Sequence, residues 1–283
     1  MTSRADREAI AAGASMLLRC ENWTIALDEP FGAIVVMAEF VPALDRLRSE
    51  AGPAAWSAVR AGLAGHPLAM RLRQDPLIGR AWRRSPTRWS GDPVLGDLLL
   101  RHPGAVPLVA EASPLGRDLN VASSGLPWPE GARERQRLIA RPVDSVAERR
   151  HGADILAVAP GLMREVLQSL AGPDGAIARW VALEEDAAVV AAIHRGMPVP
   201  WVQPVRGDPL RMLAGGGLPG RFDLIYLKIL DLWDDAAAEA LVRAALPVLR
   251  PGVRLVLCNR APGAADEPFW SLGAGRSRVL RDE

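Results

Sequence analysis

The residues of this chain that could do chemistry stand at the ends of apolar runs. Glu184, Glu185 and Asp186 follow the run Ala178 to Leu183, and Asp208 follows Val199 to Val205. Leu227 and Lys228 follow the apolar segment through Tyr226, Asp231 lies a little further on, and Asn259 closes the run Val253 to Cys258. Carboxylates accept hydrogen bonds from hydroxyl and amino groups, and an amide both donates and accepts. Lys228 is the chain's single lysine. Stripped of water, such an amine can be a nucleophile; left in water, it is a loop cation.

The elements that must position these groups alternate strand and helix. Arg221 to Asn259 reads as one strand, crossover helix and parallel strand, with Asp234 and Asp235 as helix-start signals and Pro251-Gly252 as the stop. Upstream, Asp154 to Ala159 is a buried-type strand, and a turn at Pro160-Gly161 leads into a helix expected from Leu162 to Leu170. Ala178 to Leu183 is the second strand, Asp186 can cap a helix over Ala187 to His194, and Val199 to Val205 is the third strand. Such a pattern gives an α/β fold, and an open parallel sheet binds its ligand beyond the carboxyl ends of the strands.

In the order of these parts, roughly the last 130 residues resemble the class I S-adenosylmethionine-dependent methyltransferases. The likeness lies in a turn with Gly161 after the first strand, an acid after the second and third, and FDLIY followed by a helix ending in LRPG. A narrower resemblance is to the bacterial methyltransferase family of 3-hydroxypalmitate methyl ester biosynthesis. It rests on HPL at His66 to Leu68, QDP at Gln74 to Pro76, GLMREV at Gly161 to Val166 and LEED at Leu183 to Asp186. The resemblance implies a Rossmann-like sheet over residues 146–283, with a mostly helical cap or substrate region over 1–145; too few residues follow the fifth strand for the family's last strands, so incomplete C-terminal strands are one expectation.

It also implies S-adenosylmethionine as methyl donor, held by Ala159, Gly161, Glu184, Asp208 and Leu227. Glu184 would accept from both ribose hydroxyls, and Asp208 would face the adenine amino group. Trp89, Asp92 and Asn259 would touch the acceptor, with Asp231 and Lys228 as catalytic candidates. Asp92 precedes Pro93 and an apolar stretch, so a helix cap is an equal reading for it. His66 is likewise open to a structural role. Transfer would be an in-line displacement to an oxygen of a small or lipid-like acid, whose carboxylate needs no strong base.

Two departures bear on this. The first turn reads Ala157-Val158-Ala159-Pro160-Gly161-Leu162-Met163, where the family has an acid and three alternating glycines. The segment Ser85 to Asp92 replaces the family's KPRGYAGD. A methyltransferase-like protein that binds a ligand or partner without methyl transfer is therefore the alternative expectation.

Composition agrees with a folded globular chain: 283 residues, 49% hydrophobic, net charge +1. Arginines cluster at Arg80 to Arg88 and Arg133 to Arg150 without a nucleic-acid module, so nucleic-acid binding is not expected. Cys20 and Cys258 suggest neither a disulfide framework nor a metal site, and Cys258 is expected in a buried strand. No run reaches transmembrane length, and a cytoplasmic location is the default expectation. Ile34, Met37, Val41, Leu44 and Leu47 share a helical face, followed by Trp56, Val59 and Leu63. These helices are expected to cover the carboxyl edge of the sheet, and His102 to Pro129 reads as a less regular cover. Few residues follow the fifth strand, so Arg276 to Leu280 or a second copy in a homodimer would protect the sheet edge.

Overall fold

The computed structural model describes residues 4–50, 53–83, 92–172, 175–197, 199–228, 233–259 and 264–272. Trp89, Asp231, Arg276 to Leu280 and most of the Ser85–Asp92 segment lie outside them. The chain divides into two compact units, residues 1–89, 97–131 and 262–283, and residues 90–96 and 132–261.

The first unit is helical. Its long helices are α1 (Arg4–Ala26), α2 (Gly32–Glu50) and α3 (Pro53–Gly65), followed by the short α4 (Pro67–Leu72) and α5 (Pro76–Trp82). Met37, Val41, Leu44 and Leu47 are buried along α2 as expected, but Ile34 is exposed. α6 (Pro93–Leu99) leads from the second unit back into the first, which continues with α7 (Val106–Ala110) and α8 (Pro114–Ser123). The expected irregular cover from His102 to Pro129 is thus largely helical. Its prolines start helices instead of breaking them: a proline lacks only an N–H that the first turn would leave unused.

One local device recurs at six helix starts. His66, Asp75, Asp92, His102, Ser113 and Asp208 each precede a proline, and each side chain accepts a hydrogen bond from a backbone amide of the first turn. Asp75 does more. It is fully buried, accepts from Leu77 N at 2.8 Å and Asn120 Nδ2 at 2.8 Å, and from the Ser123 hydroxyl, so it joins α5 to α8. The HPL and QDP segments are helix caps.

α9 (Pro127–Arg149) enters the second unit, where β1 (Ala153–Val158), β2 (Ile177–Glu184), β3 (Val202–Arg206), β4 (Phe222–Leu227) and β5 (Leu249–Leu257) form the sheet. All four pairings are parallel and the order is β3-β2-β1-β4-β5, the expected Rossmann-like arrangement. α10 (Ala187–Gly196) and α9 bury Val189, Ile193, Ile139, Val143 and Val146 on one face. α11 (Pro209–Ala214) and α12 (Asp235–Ala245) place Leu213, Leu241 and Ala245 on the other. A last short helix, α13 (Glu267–Trp270), belongs to the first unit.

Three element boundaries differ from expectation. The helix expected over Leu162 to Leu170 is a 3-10 turn at Arg164–Gln168, because Gly161 and Met163 are left-handed and Asp144 of α9 captures the amides of Leu170 and Ala171. Pro251-Gly252 does not stop the helix: α12 ends at Ala245, and Pro251-Gly252 sits inside β5 as a bulge opposite Phe222 and Leu224, with Gly252 at φ 78°. Cys258 lies just past β5 and is half-buried.

The amino ends of the strands are tied by charge. Asp154 meets Arg179 at 2.7 Å and Arg250 at 2.7 Å; the buried Asp223 meets Arg250 as well, and Arg150 at 3.0 Å. Asp154 N also donates to Asp223 at 2.9 Å. This network pins β1, β2, β4 and β5 at the end opposite the candidate site.

Candidate functional site

In the order β3-β2-β1-β4-β5 the direction of winding reverses between β1 and β4, and an open parallel sheet leaves a crevice at the carboxyl ends there. Val158 pairs with Leu227 at the ends of those strands, which brings Ala159 and Lys228 to the crevice together. Lys228 N donates to Val158 O at 3.3 Å and Ala159 N to Leu183 O at 3.0 Å, so the ends of three strands share hydrogen bonds.

The turn that follows β1 has a regular feature. Ala159, Gly161 and Met163 have φ of 47°, 62° and 57°, all in the left-handed region. These are the three alternating positions at which the resembled family carries glycine. The turn is therefore left-handed at two non-glycine residues, Ala159 and Met163, at a cost of roughly 1–2 kcal/mol for each. Met163 has a reason to stay: its side chain is fully buried, and its sulfur packs 3.7 Å from the Tyr226 oxygen.

Glu184 ends β2 beside this turn and is 9% exposed. Its Oε1 accepts from Glu185 N at 3.1 Å and Asp186 N at 3.4 Å, while Oε2 accepts only a long 3.4 Å contact from Gly161 N. A carboxylate oxygen has two acceptor positions, so Oε2 keeps capacity for a hydroxyl. Burial pushes the Glu184 carboxyl above its ordinary range, although the amides of Asp186, Gly161 and Glu185 pull the other way.

Lys228 is not an exposed loop cation. It is 4% exposed, and Nζ donates to Glu165 Oε2 at 2.6 Å, Pro160 O at 2.8 Å and Gln136 Oε1 at 3.1 Å. Three protons meet three acceptors, which leaves no proton for an acceptor molecule. Burial draws its pKa down, and the adjoining Glu165 charge works against that. Glu165 is itself fully buried and accepts from the Tyr226 hydroxyl at 2.7 Å; that oxygen in turn accepts from Trp180 Nε1 at 3.0 Å. Burial, and then the Glu165 charge, raise the Tyr226 phenol well above its usual range.

The other expected residues separate into groups. Asp208 is exposed, caps α11 through Arg211 N at 2.9 Å, and follows Gly207, whose N–H donates to Glu184 O at 3.0 Å. It thus stands next to Glu184 at the strand ends. The Leu227 side chain is fully buried with Leu156, Val158 and Ile225, so it belongs to the core. Asn259 is exposed just after β5, next to Cys258, whose N–H donates to Leu227 O at 2.9 Å. Asp92 is 2% exposed and accepts from Val94 N at 3.1 Å and Leu95 N at 3.2 Å, the cap arrangement. Its helix nonetheless reaches the turn: a Cβ on Gly96 would lie 3.0 Å from the Leu162 side chain. Trp82 is core, its indole donating to Phe269 O at 3.1 Å.

Sequence reasoning missed Glu165, Gln136 and Tyr226 as parts of one buried network. The signals were faint: Glu165 sits in the GLMREV segment, Tyr226 is the chain's single tyrosine, and nothing singles out Gln136. Among the described residues no cluster of histidine, cysteine or carboxylate side chains could hold a metal, and no helix is long and apolar enough to cross a membrane.

No protein-family model matches the chain, and no curated protein does. Its fold is similar to that of the YcgJ protein from Bacillus subtilis, at 18% identity over 49% of this chain and 54% of that one, with a TM-score of 0.35. The chain thus spans about half the length of YcgJ. It is also similar to the plantazolicin methyltransferase BamL, solved with a triazolic substrate analogue and SAH, at 9% identity over 66% and 69% of the two chains and a TM-score of 0.39. A Bordetella parapertussis protein described as a possible exported protein has 19% identity over 91% and 73%, with a TM-score of 0.45.

Proposed function

We propose that the β1 turn and Glu184 bind the adenosyl part of S-adenosylmethionine, and that the protein is a methyltransferase acting on an oxygen of a small or lipid-like acid. The observation that carries this reading is the left-handed conformation at Ala159, Gly161 and Met163 beside a β2 carboxylate with acceptor capacity to spare. Glu184 would accept from the ribose hydroxyls, the turn would let backbone approach the donor, and Asp208 would take the adenine amino group in addition to its cap. When bound, the donor supplies an activated methyl group. The chain's task is then to align the acceptor oxygen and keep water out, which requires no general base. Asn259, Asp92, Trp89 and Asp231 are the acceptor-side candidates, residues 1–145 would shape acceptor recognition, and the protein would work in the cytoplasm as a homodimer without nucleic acid.

A second reading has its own support. Ala157 stands where the resembled family has an acid, and the nearby ammonium of Lys228 is already saturated. That favours a methyltransferase-like protein that binds a ligand or partner without transfer. Incubation with methyl-labelled donor and a panel of hydroxy fatty acids separates the two. Label in an ester product supports the methyltransferase; donor binding with no labelled product supports the second reading with the donor as ligand; neither binding nor label contradicts the methyltransferase and supports the second reading with a partner or another ligand.

A further inference from the structure

We infer that Lys228 is a positioning residue whose ammonium holds the β1 turn in the left-handed conformation that glycine would otherwise supply. Ala159 is at φ 47°, where its Cβ crowds the following carbonyl, so the turn tends to relax toward negative φ. Relaxation there moves the next residue, Pro160, whose carbonyl accepts from Lys228 Nζ at 2.8 Å.

The ammonium is in turn fixed from two other directions, by Gln136 of α9 at 3.1 Å and by Glu165 at the exit of the turn at 2.6 Å. Glu165 is anchored by the Tyr226 hydroxyl at 2.7 Å, inside the sheet-facing core. Moving the Pro160 carbonyl would leave one ammonium proton unpaired in a site 4% exposed, which costs more than a left-handed alanine. Lys228 and Glu165 therefore grip the turn at Pro160 and just after Met163, while Leu183 O and Glu184 hold the amides of Ala159 and Gly161. A glycine-rich turn has no need of this grip.

The test uses Lys228→Met with Glu165→Gln, which keeps side-chain volume and leaves no lone buried charge, compared with the same pair plus Ala159→Gly. Amide hydrogen exchange is read at Ala159 and Gly161, with amides inside β2 and β4 as the reference for global opening. The paired variant should exchange at Ala159 and Gly161 about tenfold faster than the native chain while the reference amides change little, and Ala159→Gly should bring most of the protection back. A purely structural ion pair would loosen the turn and the strands in step, and glycine would restore nothing; either result overturns the inference. If the paired variant does not fold, folding regained in the triple variant supports the grip, and a triple variant that is also unfolded contradicts it.

Discussion

Lys228 and Glu165 form an ion pair of 2.6 Å at the carboxyl ends of β1 and β4, with side chains 5% and 0% exposed. Removing one partner strands the other charge. Lys228→Met alone should lower unfolding stability in urea by about 3–5 kcal/mol, and Lys228→Met with Glu165→Gln by clearly less. Equal losses in the two would mean that the lone buried charge is not the cost.

The two left-handed non-glycine residues of the turn should respond to glycine with opposite signs. Ala159→Gly relieves a conformational cost of roughly 1–2 kcal/mol against a glycine entropy cost of roughly 0.5–1 kcal/mol, so thermal unfolding should shift upward by a few degrees. Met163→Gly relieves the same strain but empties a fully buried site, a loss of about 2–5 kcal/mol, so it should destabilise. Both shifts can be read by calorimetry, and stabilisation by Met163→Gly would contradict the packing role given to its side chain.

Asp75 serves both as a helix cap and as a link to Asn120 and Ser123. Asp75→Ala leaves those donors unpaired in a buried site and should cost about 2–4 kcal/mol in chemical denaturation. Asp75→Asn keeps an acceptor for the cap and should cost less.

The central strands were legible because β1 and β4 are apolar runs buried on both faces, and the edge strands β3 and β5 because the helix starts between them carry a carboxylate or a Pro signal. The bulge at Pro251-Gly252 was not, since the same dipeptide ends helices and kinks edge strands. His102 to Pro129 misled for a related reason: its Ser-Pro and His-Pro pairs are cap followed by first helical residue, and composition alone reads them as loop. At the site, the acid of Glu184 could be placed from strand order. The burial of Lys228 could not, because its three acceptors come from positions 136, 160 and 165.

Acid stability should report the network at the amino ends of the strands. Burial pushes the Asp154 carboxyl up, but hydrogen bonds and charge from Arg179 and Arg250 outweigh it and leave the pKa below the ordinary value. A depressed folded value contributes stability above the unfolded pKa of about 4, which is lost as pH falls through the folded value. Asp154→Asn should therefore flatten the loss of stability below about pH 4. Glu184 has the opposite sign: its raised folded value adds relative stability as pH falls toward the unfolded pKa. A denaturation series across acid pH on Asp154→Asn and Glu184→Gln separates the two, and an unchanged acid limb in Asp154→Asn would contradict the assignment.

The central claim is that the β1 turn and Glu184 form an adenosyl site. Titration of the purified chain with S-adenosylhomocysteine in a calorimeter, alongside Glu184→Ala, tests it most directly. The account predicts micromolar binding to the native chain, weakened at least about tenfold in Glu184→Ala by loss of a charged hydrogen-bond acceptor. No heat with the native chain, or equal affinity in the variant, would contradict it.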